Sequence, residues 1–343
     1  MITFYAPGQP SVRLTPAESC ADLTRTAVWI DLLEPTHEEE AHLEAALGIN
    51  IPTREEMQAI ELSSRLYEED GMVFMTATVL TKASTNVPTS SAVTFILTQD
   101  KLVTLRYEDP VPFNAFRTRR EANLSRYQTP AQFLAGLVDA IVERIADILE
   151  TVGGNLDGIS LKVFEPNHSS DALPLKTRLT KSPRGRARKA RQRDFVAILR
   201  QIGGASDLVS RARESLVGFA RLVTFFREVR KDPSGTRESN AHWKTIAGDV
   251  SSLSDHASFL SGKINFLLDA TLGMINNEQN AIIKIISVAA VVFLPPTLIA
   301  GLYGMNFEHM PELKWLHGYP FAIALMVISA VLPYAYFQRK GWL

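Results

Sequence analysis

Two apolar runs near the carboxyl end constrain this chain more than any other feature. The first extends from Ala281 to Tyr303, 23 residues that carry one charge, Lys284. As a helix it is roughly 34 Å long at ~1.5 Å per residue, enough to cross a hydrocarbon layer of ~30 Å. The second, Tyr319 to Phe337, is 19 residues without a formal charge, or roughly 28 Å by the same rule. Buried helices of a soluble core are the rival explanation for any apolar run. A pair of this length, fenced by Lys284 on one side and Gln338-Arg339-Lys340 on the other, fits such a core poorly, and two transmembrane helices are expected.

Charge orients the pair. Lys284, Arg339 and Lys340 flank its outer ends, whereas the connecting loop holds Glu308, Glu312 and only Lys314. Positive flanks favour the cytosolic side, so both termini are expected there, in a multi-pass protein of the inner (plasma) membrane with Gly304 to Gly318 on the far side. The start, MITFYAPGQPSVRLTPAESC, has no basic region leading into an apolar stretch and is not expected to direct secretion. A single cysteine, Cys20, excludes an intramolecular disulfide framework and points to a reducing compartment. Lys plus Arg (36) and Asp plus Glu (37) nearly cancel, so no global field recruits nucleic acid.

The cytosolic part divides by periodicity. Residues 1–125 mix β-rich runs (Val28 to Leu32, Met72 to Leu80, Ala92 to Leu97, Leu102 to Arg106) with polar helical runs such as His37 to Leu47, as expected of a small α/β domain. Residues 126–238 form a helical region, in which Phe133, Leu134, Leu137, Ile141, Ile145 and Ile148 recur at helical spacing. Within it, 176–193 is a basic tract: nine of its eighteen residues are Lys or Arg. Nucleic acid or anionic lipid are alternatives to a solvated loop or helix face, which is the expectation; the tract lacks aromatic residues for base stacking, and no nucleic-acid partner is expected. From 239 to 303 a long stalk helix is expected to continue into the first span at about residue 281. Alone it cannot cover Phe259, Phe266, Leu267, Ala270 and Met274, which call for neighbouring helices or subunits. Loop 304–318, span 319–338 and a basic tail 339–343 complete the chain.

Enzymatic chemistry finds little support. Gly262-Lys263 has Ala257 where a phosphate-binding loop requires glycine, and Ile264 where it requires Ser or Thr. The histidines of His37-Glu-Glu-Glu-Ala-His42 lie five apart, so they do not share a helix face as a zinc-protease pair would, and a surface helix is expected. Neither an enzyme nor a resident cofactor is expected.

Polar and small residues on the long helix mark whichever side does not face lipid. Asp269, Gly273 or Leu272, Asn276, Asn280, Ile283, Ser287, Ala290, Leu294, Thr297 or Leu298, and Gly301 follow at three- or four-residue steps. Several copies around an axis would turn each into a ring: carboxylates at Asp269, amides at Asn280, apolar constrictions at Ile283, Ile286 and Leu294. Helix dimerisation through the small residues is the alternative. Pro295-Pro296 removes two backbone donors in mid-span and is expected to allow a kink or hinge at Leu294.

The far end of this span reads Tyr303-Gly304-Met305-Asn306. With Glu278-Gln279-Asn280, the run Val291 to Leu298, Met310 to Leu313 and the terminal Gly341-Trp342-Leu343, it resembles the CorA family of magnesium channels. Val28 to Leu32 is a weaker match. The resemblance implies an α+β cytosolic domain, a long stalk helix and two C-terminal transmembrane helices, assembled as a homopentameric funnel in the bilayer. It implies Mg2+ as cargo, with Co2+ and Ni2+ of similar hydrated size, and Gly304 and Asn306 as the outer ring that receives the ion.

Glu308 and Glu312 would concentrate cations at that mouth. By the same resemblance, cytosolic Mg2+ binds carboxylates between subunits and holds the channel shut. Asp269 fits the acidic ring near the entrance, and Asp249 and Asp255 are candidate regulatory ligands. Loop 82–91 has no acidic residue, which speaks against a two-carboxylate site there. Met305 argues against the alternative, a zinc transporter of the same superfamily. A two-span anchored binding protein is the remaining alternative.

Overall fold

The computed structural model describes residues 1–13, 20–59, 61, 64–83, 85, 87–164, 184–229, 237–305, 311 and 315–342, with the side chains of 20, 21, 184–194 and 237–239 outside that description. It divides into two compact units, Met1–Leu268 and Asp269–Leu343.

The first unit is built on a seven-stranded sheet. Its strands are β1 (Ile2–Tyr5), β2 (Val12–Arg13), β3 (Trp29–Leu33), β4 (Leu66–Glu69), β5 (Met72–Thr81), β6 (Thr89–Leu97) and β7 (Leu102–Arg106), in the order β2-β1-β3-β7-β6-β5-β4. The β3–β7 pair is parallel, with Asp31 beside Thr104; the other pairings are antiparallel. The four expected β-rich runs correspond to β3, β5, β6 and β7. The short strands β1, β2 and β4 were not foreseen: they run for two to four residues, too short for an alternation to stand out.

Helices cover both faces. On one side lie α1 (Cys20–Thr26), α2 (His37–Leu47) and α3 (Arg54–Met57), where Leu43 and Met57 join Ile2, Phe4, Ile30, Phe74, Ile96 and Val103 in a common apolar cluster. The His37 segment is a capped helix: Thr36 accepts from the Glu39 N–H while the Glu39 carboxylate accepts from the Thr36 N–H. On the other side lie α4 (Val111–Ala122), α5 (Pro130–Phe164) and α6 (Arg184–Val229).

Every residue of the helical pattern in α5, from Phe133 to Ile148, is buried. Trp29 anchors this side, stacked on Tyr5 at 3.9 Å and edge-on to Phe116 at 5.5 Å. The helix α6 crosses β5, where the Ser215 hydroxyl donates to the Thr78 carbonyl at 2.6 Å. Burial of large apolar side chains on both faces is the main source of stability, at roughly 1.5–3 kcal/mol for each such side chain.

The longest element, α7 (Arg237–Tyr303), begins in the first unit and ends in the second, which also holds α8 (Gly318–Arg339). In the first unit α7 runs parallel to α5. His242 Nε2 lies 2.6 Å from Asp139, and Lys263 Nζ donates to Asp157 at 2.5 Å. Phe266, which the sequence left in need of a neighbour, stacks on Phe164 at 5.7 Å. Residues 176–183 of the basic tract fall outside the described residues, while 184–193 form the first turns of α6.

Candidate functional site: the outer face of α7

Within the second unit two stripes run along α7. Val288 is buried, and Val292, Pro295, Pro296, Ile299 and Tyr303 are half-buried. These positions share one side of the helix, which the chain itself covers. The predicted stripe lies on the other side. Asp269, Asn276, Asn280, Ile283, Ile286, Ser287, Leu294, Thr297 and Gly301 are all exposed, the three large apolar members at 59–66%. Exposure extends beyond this stripe to Phe293 at 70% and Leu298 at 61%, so the stripe is distinguished by its polar members and not by its exposure.

At Pro295-Pro296, where a kink or hinge was expected, α7 continues as helix. The two prolines deprive the carbonyls of Val291 and Val292 of their usual donors. Directly beyond, the Thr297 hydroxyl donates to the Phe293 carbonyl at 2.8 Å. At the far end the Gly304 N–H donates to Ala300 O at 2.9 Å. A Cβ on Gly304 would sit 3.0 Å from that same carbonyl, a contact the backbone relieves by shifting a few tenths of an ångström. Asn306, Glu308 and Glu312 lie outside the described residues.

Carboxylates along α7 stand uncompensated. Asp249, Asp255 and Asp269 are exposed and form no ion pair among the described residues. Asp249 borders a cleft of about 430 Å3 together with Arg119, Asp139, Glu143 and Ser252. Arg119 in that cleft is engaged by Glu143 at 2.5 Å, and Asp139 by His242. Among the described residues no group of three His, Cys, Asp or Glu side chains is placed to hold a metal. Asp249 and Asp255 are six residues apart on the helix and do not share a face. Of the segment expected as loop 82–91, residues 89–91 belong to β6, and Lys82 pairs with Glu108 at 3.5 Å.

The sequence reading missed a buried polar network under the sheet. Asp31 on β3 accepts from Arg106 Nε at 3.0 Å, Arg106 Nη2 at 2.8 Å and the Thr104 hydroxyl at 2.7 Å. Arg106 also donates to Asp109 at 2.5 Å, and the Trp29 indole donates to Thr104 at 3.0 Å. Burial works to raise the Asp109 carboxyl, but hydrogen bonds from Asn114 and Arg106 and the charges of Arg106 and Arg117 hold it below its ordinary value. The available signal was a carboxylate in the middle of the apolar run Val28-Trp-Ile-Asp-Leu32.

Among the described residues two helices are long and apolar enough to cross a membrane, Asn240–Tyr303 and Gly318–Arg339. Their most apolar 18-residue windows have mean hydropathies of 2.3 and 1.8 and are only 6% and 0% buried. Core helices of a soluble protein would be mostly covered. The family profile described as "CorA-like Mg2+ transporter protein" matches residues 25–339. The chain belongs to that family.

Among the relatives of this CorA-family chain is the magnesium transport protein CorA of Escherichia coli K12, 34% identical over 317 residues, which is 92% of each chain. CorA of Salmonella typhimurium LT2 is 33% identical over the same share. The complete structure of the CorA magnesium transporter from Methanocaldococcus jannaschii superposes with a TM-score of 0.72 at 18% identity, covering 100% of this chain and 99% of that one. The full-length CmaX protein gives 0.59 at 13% identity, covering 99% and 97%. These structures share its fold: a soluble α/β part, a long helix and two C-terminal apolar helices.

Proposed function

We propose that this CorA-family membrane protein is one subunit of a homopentameric channel that admits Mg2+, and secondarily Co2+ and Ni2+, down the membrane potential. The observation that carries the reading is that polar residues of α7 collect on the side opposite the one the chain covers. The side covered by the chain itself is apolar, while the other side, with Asp269, Asn276, Asn280, Ser287 and Thr297, is left open. Copies arranged around an axis bring that open side inward and line a path with it.

The chemistry suits a hydrated ion. Magnesium dehydrates reluctantly, so neutral oxygens at Gly304 and Asn306 hold it through its own waters and release it again. Glu308 and Glu312, repeated around the mouth, raise the local cation concentration. Asn280 offers a polar ring, and Ile283, Ile286 and Leu294 form constrictions that close by dewetting. Asp269 forms an acidic ring below them. An inside-negative potential contributes about 4.6 kcal/mol per 100 mV for a doubly charged ion, so no nucleotide is needed. Lys284, Arg339 and Lys340 keep both termini cytosolic, in the inner membrane. Cytosolic Mg2+ closes the channel by neutralising repulsion between subunits, with Asp249 and Asp255 as ligands. Their lack of ion-pair partners among the described residues supports this role.

The test is Mg2+ uptake into liposomes carrying the purified full chain, under an applied inside-negative potential and low internal Mg2+. Wild type takes up the ion and Asn306→Ala does not, at equal assembly. Impermeability of the wild type, or uptake undiminished by Asn306→Ala, contradicts the proposal.

A further inference from the structure

The end of α8 is closed by a complete capping motif that fixes the position of Trp342. Gly341 takes a left-handed conformation at φ 69°, its N–H donates to Gln338 O at 3.2 Å, and the Trp342 N–H donates to Phe337 O at 3.1 Å. The rings of Phe337 and Trp342 stack at 5.3 Å. Together these are the two hydrogen bonds and the apolar contact of a Schellman motif. The indole is thus set by the backbone.

Two cations from different spans converge on that indole. Lys284 Nζ, from the start of the first span, lies 5.9 Å from the ring centroid, and Lys340 Nζ lies 5.8 Å from it. Lys340 is also 5.3 Å from the Tyr336 ring. None of Lys284, Arg339 and Lys340 has an ion-pair partner among the described residues. Cation–π attraction holds each ammonium at the ring but leaves its positive charge uncancelled. A bound anion cancels it. The cluster stands where the apolar runs end; in a bilayer spanned by those runs this is the level at which Trp and Tyr settle and basic residues meet anionic lipid.

We propose that Lys284, Lys340 and Trp342 form a site for an anionic phospholipid: the two ammonium groups bind its phosphate, and the indole lies against its glycerol and upper acyl region. The site ties the start of one span to the end of the other through a lipid. It requires only that the two spans lie in a bilayer, and it stands or falls independently of what the channel carries.

The full-length assembly, extracted from mixed phosphatidylcholine–phosphatidylglycerol vesicles, is weighed intact with its retained lipid. Wild type should retain phosphatidylglycerol in preference to phosphatidylcholine. Lys284→Gln with Lys340→Gln should lower that preference by roughly fivefold per lysine, and Trp342→Leu should lower it with both charges in place. Lys284→Arg with Lys340→Arg, and the remote Lys244→Gln, should keep it.

Equal retention of the two lipids by wild type overturns the proposal, as does a preference unchanged in the double Gln variant. Loss of preference in the Arg variant as well reports on folding rather than charge and counts equally against it. Inorganic phosphate that binds without any lipid preference assigns the cluster to a free anion and overturns the lipid source.

Discussion

Arg106 and Asp31 meet in a two-pronged ion pair across the parallel junction of β3 and β7, with Nε to Oδ1 at 3.0 Å and Nη2 to Oδ2 at 2.8 Å, and 0% and 1% of the two side chains exposed. Desolvating two charges costs energy that good geometry only offsets, so removing one partner leaves a buried, uncompensated charge. Asp31→Asn is expected to destabilise the chain by about 3–5 kcal/mol. Asp31→Asn with Arg106→Met should cost less than the two single changes together. Thermal unfolding of the purified full chain in detergent, run as a double-mutant cycle, measures both; additive effects would show that the pair is not coupled.

Gly136 is where α5 passes the aromatic cluster. A Cβ there would lie 2.7 Å from the Tyr127 ring and closer still to Phe116. Gly136→Ala should therefore destabilise by about 1–3 kcal/mol through overpacking, although alanine is the better helix former. A rise in melting temperature would refute this.

Acid should loosen the first unit through Asp109 and Glu39. Burial works to raise the Glu39 carboxyl, but hydrogen bonds from the chain's amino terminus and from Thr36, with the charge of that terminus, bring it below its ordinary value. Asp109 is lowered likewise. A carboxyl lowered by folding contributes its stability above the unfolded value, ~3.9 for Asp, and loses it as pH falls through the lowered folded value. Unfolding free energy of the wild type should thus drop below about pH 4. Asp109→Asn should be less stable at neutral pH and flatter in acid; parallel curves would exclude the contribution.

Gly304→Ala should lower Mg2+ uptake while leaving assembly intact, because the new methyl meets the Ala300 carbonyl at 3.0 Å and shifts the proposed outer ring. Flux in liposomes and subunit number in detergent are the paired readouts. Normal flux would remove Gly304 from the proposed filter.

If Leu294 forms the proposed constriction, Leu294→Asn should make the closed state leak. An amide in an apolar constriction keeps it wet, so ion flux should persist at internal Mg2+ levels that silence the wild type. If the variant closes as the wild type does, the constriction lies elsewhere.

The two spans, the open stripe of α7 and the buried face of α5 were legible in the amino-acid sequence because each is a local property. Length decides whether a helix can cross a bilayer, and a period of 3.6 decides which residues share its side. Phe133 to Ile148 could be assigned to one face without knowing what covers them. Asn306, Glu308 and Glu312 could likewise be named by their place between the spans, and their roles rest on sequence alone. The short strands β1, β2 and β4 were not legible, since two to four residues carry no period and exist only by pairing with longer neighbours.

By itself, then, the sequence determined that the chain crosses a membrane twice and that one helix has an open polar side. Only the tertiary structure decided that Asp31 faces Arg106, 75 residues away, and that Lys284 and Lys340 share the ring of Trp342. Hydrophobic periodicity states which side of an element is covered but carries no record of its partner. Partners are selected by strand register and helix packing, which depend on the whole chain at once.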